Sequence, residues 1–221
     1  MPRLVTHLTS VDLSMFNSEV HELIDALLYR LDELEQLSGA WKAANREAKR
    51  AAHISDSRSR ESFERALHKQ RQVQAKAFDT IEAFLAAWAR LSLLFFPQGK
   101  NAKTTNRGDV LRRVYFVHSR TSPLADRQLR NAWMHFDERL DHAIETKTLG
   151  NRHQFTTSAQ GARAAVRSVR VVEMDNLVVR YRDSQGASKA TDLRELRRYL
   201  EALDAQFGKT QRRFRLLTGA A

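Results

Sequence analysis

Phe16, Val20, Leu23, Leu27, Leu31, Leu34 and Trp41 recur at helical steps, with Leu37 beside the stripe. That period leaves little room for anything but one long amphipathic helix, from about residue 12 to residue 51. Past a break at Ser55-Asp56-Ser57-Arg58-Ser59, whose hydroxyls and carboxylate suit helix N-caps, the pattern resumes. Ala77, Ile81, Phe84, Trp88, Leu91 and Phe95 alternate steps of four and three. Two long apolar stripes separated by so short a break must face each other, which makes an antiparallel helical hairpin.

Residues 42–76, the tip of this hairpin, are poor in large apolar side chains. They carry Lys42, Arg46, Lys49, Arg50, Arg58, Arg60, Arg65, Lys69, Arg71 and Lys76 against Glu47, Asp56, Glu61 and Glu64. The tip is expected to stand out as a basic arm. Pro97-Gln98-Gly99 ends the second helix, and residues 100–108 read as a polar loop. Asp109 is placed to cap a shorter helix through Val110, Leu111, Val114, Tyr115 and Val117. Ser122 followed by Pro123 signals the start of a fourth helix running to about residue 147. Its stripe is Leu129, Trp133, Phe136, Leu140 and Ile144.

After Gly150 the pattern changes. Residues 169–174 and 177–182 are rich in β-branched side chains, and Asp175-Asn176 between them predicts a two-residue hairpin turn. Asp192 and Glu195 make a capping box before a last helix carrying Leu193, Leu196, Leu200, Leu203 and Phe207. The expected fold is mainly α. Residues 1–150 form a four-helix up-and-down bundle, and residues 151–221 form a small β-hairpin and helix appendage packed on it.

Composition narrows the function. The chain has no cysteine, which excludes disulfides, thiolate catalysis and cysteine-held zinc. Neither a signal-peptide pattern nor an apolar run of membrane-spanning length appears, so a cytoplasmic protein without a membrane partner is expected. A net charge of +11 and a pI near 10.4 point to polyanions, nucleic acid first and an anionic membrane surface second. Glycine-rich phosphate loops, His-Glu-x-x-His and serine-hydrolase elbows are all missing, and no cofactor is called for.

The chemistry gathers in Leu129-Arg130-Asn131-Ala132-Trp133-Met134-His135-Phe136-Asp137-Glu138-Arg139. Pairs of arginine and histidine at loose spacing are common in this chain: Arg46 with His53, Arg112 and Arg113 with His118, and Arg130 with His135. Requiring asparagine after the arginine and histidine four residues later leaves only Arg130-Asn131 with His135. The chance expectation for that stricter pattern is roughly 0.03. On a helix, Asn131 and His135 lie about 40° apart, while Arg130 and His135 lie about 140° apart. Relative to the apolar stripe, Asn131, His135, Glu138 and Arg139 face outward and Arg130 sits on the flank.

Arg-Asn-x-x-x-His on the fourth helix of a bundle resembles the signature of the HEPN superfamily, over about residues 12–147. The resemblance implies a homodimer in which two motif helices line one cleft. It also implies a metal-independent endoribonuclease of a toxin or phage-defence type, whose partners would be RNA and an antitoxin or defence protein. In that reading His135 is the acid/base, Arg130 clamps the phosphate and Asn131 orients the imidazole or the scissile group. Glu138 and Arg139 support them. Arg46, Lys49, Arg50, Arg58, Arg60, Arg212 and Arg213 hold the RNA backbone. The alternative is a non-catalytic helical-bundle module that binds a protein or nucleic-acid partner.

Overall fold

The computed structural model describes residues 9–52, 57–98, 102–119, 121–135, 141, 145–146, 153–156, 170–183, 186–210 and 213. It is mainly helical, with a small sheet. Helix α1 (Ser10–Ala51) and helix α2 (Ser57–Phe95) follow the two apolar stripes. Thr9 caps α1 reciprocally: its hydroxyl accepts from the Asp12 N–H at 3.1 Å, and its own N–H donates to the Asp12 carboxylate at 2.9 Å. These bonds from the Thr9 backbone and hydroxyl hold the Asp12 carboxyl below its ordinary value. Val20, Leu23, Leu27, Leu31, Leu34, Ile81, Phe84, Trp88, Leu91 and Phe95 are all buried. None of the described helices is long and apolar enough to cross a membrane.

The chain divides into two compact units, and both long helices contribute to each. One unit comprises Met1–Tyr29, Phe84–Arg127 and Glu195–Ala221. Here the structure corrects the expected loop at residues 100–108: helix α3 spans Ala102–Val114, so Asp109 lies inside it and not at its cap. The threonines, asparagine and glycine of this stretch are weak helix formers, and packing overrides them. Val110, Leu111 and Val114 are fully buried. Gly108 permits a close approach, since a β-carbon there would stand 2.7 Å from Pro97 Cδ and 2.8 Å from the Phe95 carbonyl.

Helix α3 closes with the Val117 N–H bonded to the Arg112 carbonyl and the Phe116 N–H bonded to the Arg113 carbonyl. This pairing needs a left-handed residue, and Phe116 (φ 56°) supplies it. Tyr115 donates its hydroxyl to Asn17 Oδ1 at 2.6 Å. Burial pushes its phenol well above the ordinary range. Ser122 does cap a helical segment at Pro123, but only the 3-10 turn Pro123–Ala125, because Asp126 returns to extended backbone. The fourth α-helix, α4 (Gln128–Met134), starts five residues later than the Pro123 expected from the cap. Its expected continuation to residue 147 falls mostly outside the described residues.

The other unit comprises Arg30–Ala83 and Gln128–Arg194. At the basic end of the hairpin, Ala44, Ala48, Ala51, Ala66 and Val73 are buried, so a seam of small residues packs where large ones are missing. Glu33 ties α1 to α2, accepting from Arg30 (3.0 Å) and Thr80 (3.1 Å) and pairing with Lys76 (3.1 Å). Desolvation alone would raise its carboxyl; Lys76, Arg30 and Thr80 outweigh that and hold it below the ordinary value.

The sheet has the order β1-β2-β3-β4: His153–Thr156, Arg170–Glu173, Val178–Arg182 and Ser188–Asp192. Strand β1 runs parallel to β2, whereas β2, β3 and β4 form an antiparallel meander. The register pairs Glu173 with Val178, so the connection is the four residues 174–177 and not the expected two-residue turn. Leu177 (φ 52°) takes the left-handed position. Met174 and Leu177 are buried, and Ser38 Oγ donates to the Met174 carbonyl at 2.8 Å, which draws the wider loop inward. Strand β4, of Ser188-Lys189-Ala190-Thr191-Asp192, is an additional and largely exposed edge. As expected, Asp192 caps the last helix, α5 (Leu193–Asp204), its carboxylate accepting from the Arg194 N–H at 2.8 Å.

Two glycines separate helix propensity from packing. Gly108→Ala is expected to lower stability by about 1–3 kcal/mol through overpacking. Gly39→Ala, inside α1 with nothing within 4 Å of the added carbon, should raise it by about 0.5–1 kcal/mol. Urea unfolding midpoints at constant slope check both. Glu33 gives a pH signature. Its folded-state value lies below the ordinary 4.5, so its stabilisation is complete above that value and disappears as pH falls through the folded one. Unfolding midpoints measured from about pH 6 to about pH 3 should therefore fall less steeply in Glu33→Gln than in the wild type.

Candidate functional site

Helix α4 turns Leu129, Ala132 and Trp133 inward, and all three are buried. The outward side is left to Asn131 and His135, both exposed, with Arg130 half-buried on the flank. The His135 N–H donates to the Asn131 carbonyl at 3.0 Å, which sets the two residues on successive turns of one face. The three motif residues thus stand as helical geometry expects. Because α4 begins at Gln128, Arg130 and Asn131 lie in its first turn. Glu138 and Arg139 lie outside the described residues.

Beneath this face is a charged node that the sequence reading missed. Arg170, 7% exposed at its side chain, stacks over the Trp133 ring at 4.4 Å from the centroid. It donates to the Trp133 carbonyl and pairs with Glu82 Oε1 at 3.6 Å. The same Glu82 oxygen accepts the Trp133 indole N–H at 3.3 Å. Phe78 packs against the indole, with ring centroids 5.9 Å apart. Burial brings the Arg170 guanidinium down to about 10, with Glu82 opposing the shift. One signal was available: Arg170 and Glu173 bracket Val171-Val172 in a strand that is otherwise apolar, and buried charges need partners. Glu173 finds its own, accepting from Asn176 (2.5 Å) and Arg180 (3.4 Å).

The expected RNA-binding cations divide. Arg46, Lys49, Arg50 and Arg60 are exposed and belong to the same unit as α4. Arg46 borders a shallow hollow of about 290 Å³ with Lys42, Asn45 and Asp175. In it Lys42 pairs with Asp175 at 3.1 Å. Arg60 pairs with Glu64 at 3.5 Å, an exposed contact of little energetic weight. Arg58 falls within α2. Arg212 lies outside the described residues. Arg213, in the other unit, is engaged by the fold: it donates to the Val114 carbonyl (2.8 Å) and Gln206 Oε1 (2.9 Å) and stacks on Phe116.

A second cluster gathers in the unit that holds the start of α1. His21 Nδ1 meets Asp204 Oδ1 at 3.1 Å, and Nε2 meets Asp25 Oδ2 at 3.5 Å. The ring stacks on Phe207 with centroids 4.1 Å apart. Among the described residues this is the one group of three side chains close enough to share a metal ion. Its two ring nitrogens contact different carboxylates, so the imidazole bridges Asp25 and Asp204.

Since Asn131 and His135 face solvent, Asn131→Ala and His135→Ala should each keep the unfolding free energy within about 0.5 kcal/mol of wild type. Urea titration checks this, and it licenses reading any functional loss in these variants as chemistry. No family model, no curated protein and no solved structure matches the chain, and the site has to be read from its own residues.

Proposed function

We propose that this chain is a HEPN-like, metal-independent endoribonuclease that acts on single-stranded RNA as a cytoplasmic homodimer, of the toxin or phage-defence type. In this reading α1 to α4 correspond to the four-helix bundle of that superfamily, and the sheet with α5 is an appendage. The observation that carries the proposal is the arrangement on α4. An imidazole and an amide share one exposed face, with a guanidinium at the flank, on a helix whose opposite side is locked by Trp133.

One protomer offers these groups on its surface, so two facing copies of α4 are needed to enclose a phosphate. In such a cleft the RNA 2′-hydroxyl attacks the adjacent phosphorus while one His135 takes its proton. The 5′-oxygen leaves with a proton from the second His135, giving 2′,3′-cyclic phosphate and 5′-hydroxyl ends. Arg130 donates to the non-bridging oxygens as their charge grows, and Asn131 orients the imidazole. Arg46, Lys49, Arg50 and Arg60 supply salt-sensitive contacts to the RNA backbone.

Fluorescent single-stranded RNA incubated with the protein in EDTA tests this. The expected result is cleavage to cyclic-phosphate ends, reduced by about 10²–10⁴-fold in His135→Ala. Cleavage retained in that variant would remove His135 from the chemistry. No cleavage by a folded, dimeric wild type would sink the enzyme reading and reassign the α4 face to binding a protein or nucleic-acid partner.

A further inference from the structure

Short helices are positioned mostly by what holds their ends, because few of their carbonyls find partners inside the helix. Helix α4 has seven residues. Its Trp133 carbonyl, beside the C-terminus, is taken by Arg170, the same guanidinium lies over the Trp133 ring, and the Trp133 indole N–H is taken by Glu82. Glu82 in turn pairs with Arg170, so the two side chains grip one residue at three different points. His135 follows two residues later, with its amide closed on Asn131.

We propose that Arg170 is the positioning residue of the α4 face, holding Trp133 so that Asn131 and His135 stand at fixed places on the surface. It acts from the first residue of strand β2, so the sheet becomes the support of the motif helix. Stability alone does not account for such a residue, since Arg170 is buried while its partner Glu82 is more than half exposed, and a desolvated guanidinium is often matched by a well-packed apolar side chain. Lysine cannot reproduce the grip, because an ammonium neither stacks flat on an indole nor serves a carbonyl and a carboxylate through one rigid fork. The catalytic consequence rests on the ribonuclease reading, whereas the positional one does not.

The test uses the intact 221-residue chain as wild type, Arg170→Met and Arg170→Lys, with amide hydrogen exchange and RNA cleavage measured on each. In Arg170→Met the His135 amide should exchange about tenfold faster or more, while the Leu200 and Leu203 amides of α5 keep wild-type rates. Cleavage should lose kcat at near-constant KM, because the exposed cations are untouched, and Arg170→Lys should recover part of both losses. Wild-type exchange at His135 in Arg170→Met would overturn the proposal, whatever the cleavage shows. If Arg170→Met loses protection throughout, the same comparison of His135 with α5 in Arg170→Lys decides. Absence of cleavage in the wild type would remove the enzyme reading and leave the exchange result to decide the positional one.

Discussion

The fold depends on arginine side chains that close the carboxyl ends of helices. At the end of α2, Arg107 donates to the Leu93 carbonyl (3.0 Å), Arg112 to that of Phe95 and Arg127 to that of Phe96 (2.6 Å). Arg213 does the same for Val114 at the end of α3, and Arg170 for Trp133 in α4. Helix C-termini expose carbonyls and carry partial negative charge, so a cation with several donors is the natural complement. Guanidinium is better suited than ammonium because it is more weakly hydrated and loses less on burial. Even so, desolvation lowers the Arg107 guanidinium from its ordinary value.

This use of arginine changes what the net charge means. A surplus of +11 looks like a polyanion-binding surface when counted along the chain. Some of the cations behind it are consumed by carbonyls and carboxylates of the protein itself. Arg213 is the clearest case: its place in a basic tail suggests a phosphate contact, and the structure gives it a carbonyl, an amide and an aromatic ring. The exposed remainder at the basic end of the helical hairpin, Arg46, Lys49, Arg50 and Arg60 among it, is where a phosphate backbone would find charge.

The helical hairpin was legible because its signal is periodic and long. A stripe sustained through α1 or α2 cannot be satisfied by another secondary structure. The cap at Ser122 and the capping residue Asp192 were legible for a related reason: each acts on backbone within two residues of itself. The misses have the opposite character. The first turns of α3 are weakly helical by composition, and the helix they open is one whose Val110, Leu111 and Val114 are buried and whose Gly108 approaches the Phe95 carbonyl and Pro97 closely. Strand β4 is a strand because β3 pairs with it, residue for residue from Val178–Asp192 to Arg182–Ser188. The β2–β3 loop widened because Met174 and Leu177 are buried, which the turn signal of Asp175-Asn176 does not register.

The candidate site divides the same way. Arg130, Asn131 and His135 are contiguous on one helix, so their identity and relative directions follow from the chain's local order and the helical repeat. Glu82 and Arg170 lie 51 and 37 residues from Trp133 and meet it only once the fold is made. Local order therefore decides which chemical groups α4 displays and which face they share. The three-dimensional packing alone decides what holds that helix in place, and which arginines stay available to a ligand. Long-range partners carry no periodic signature, and a guanidinium goes wherever a carbonyl or carboxylate would otherwise be buried without a donor.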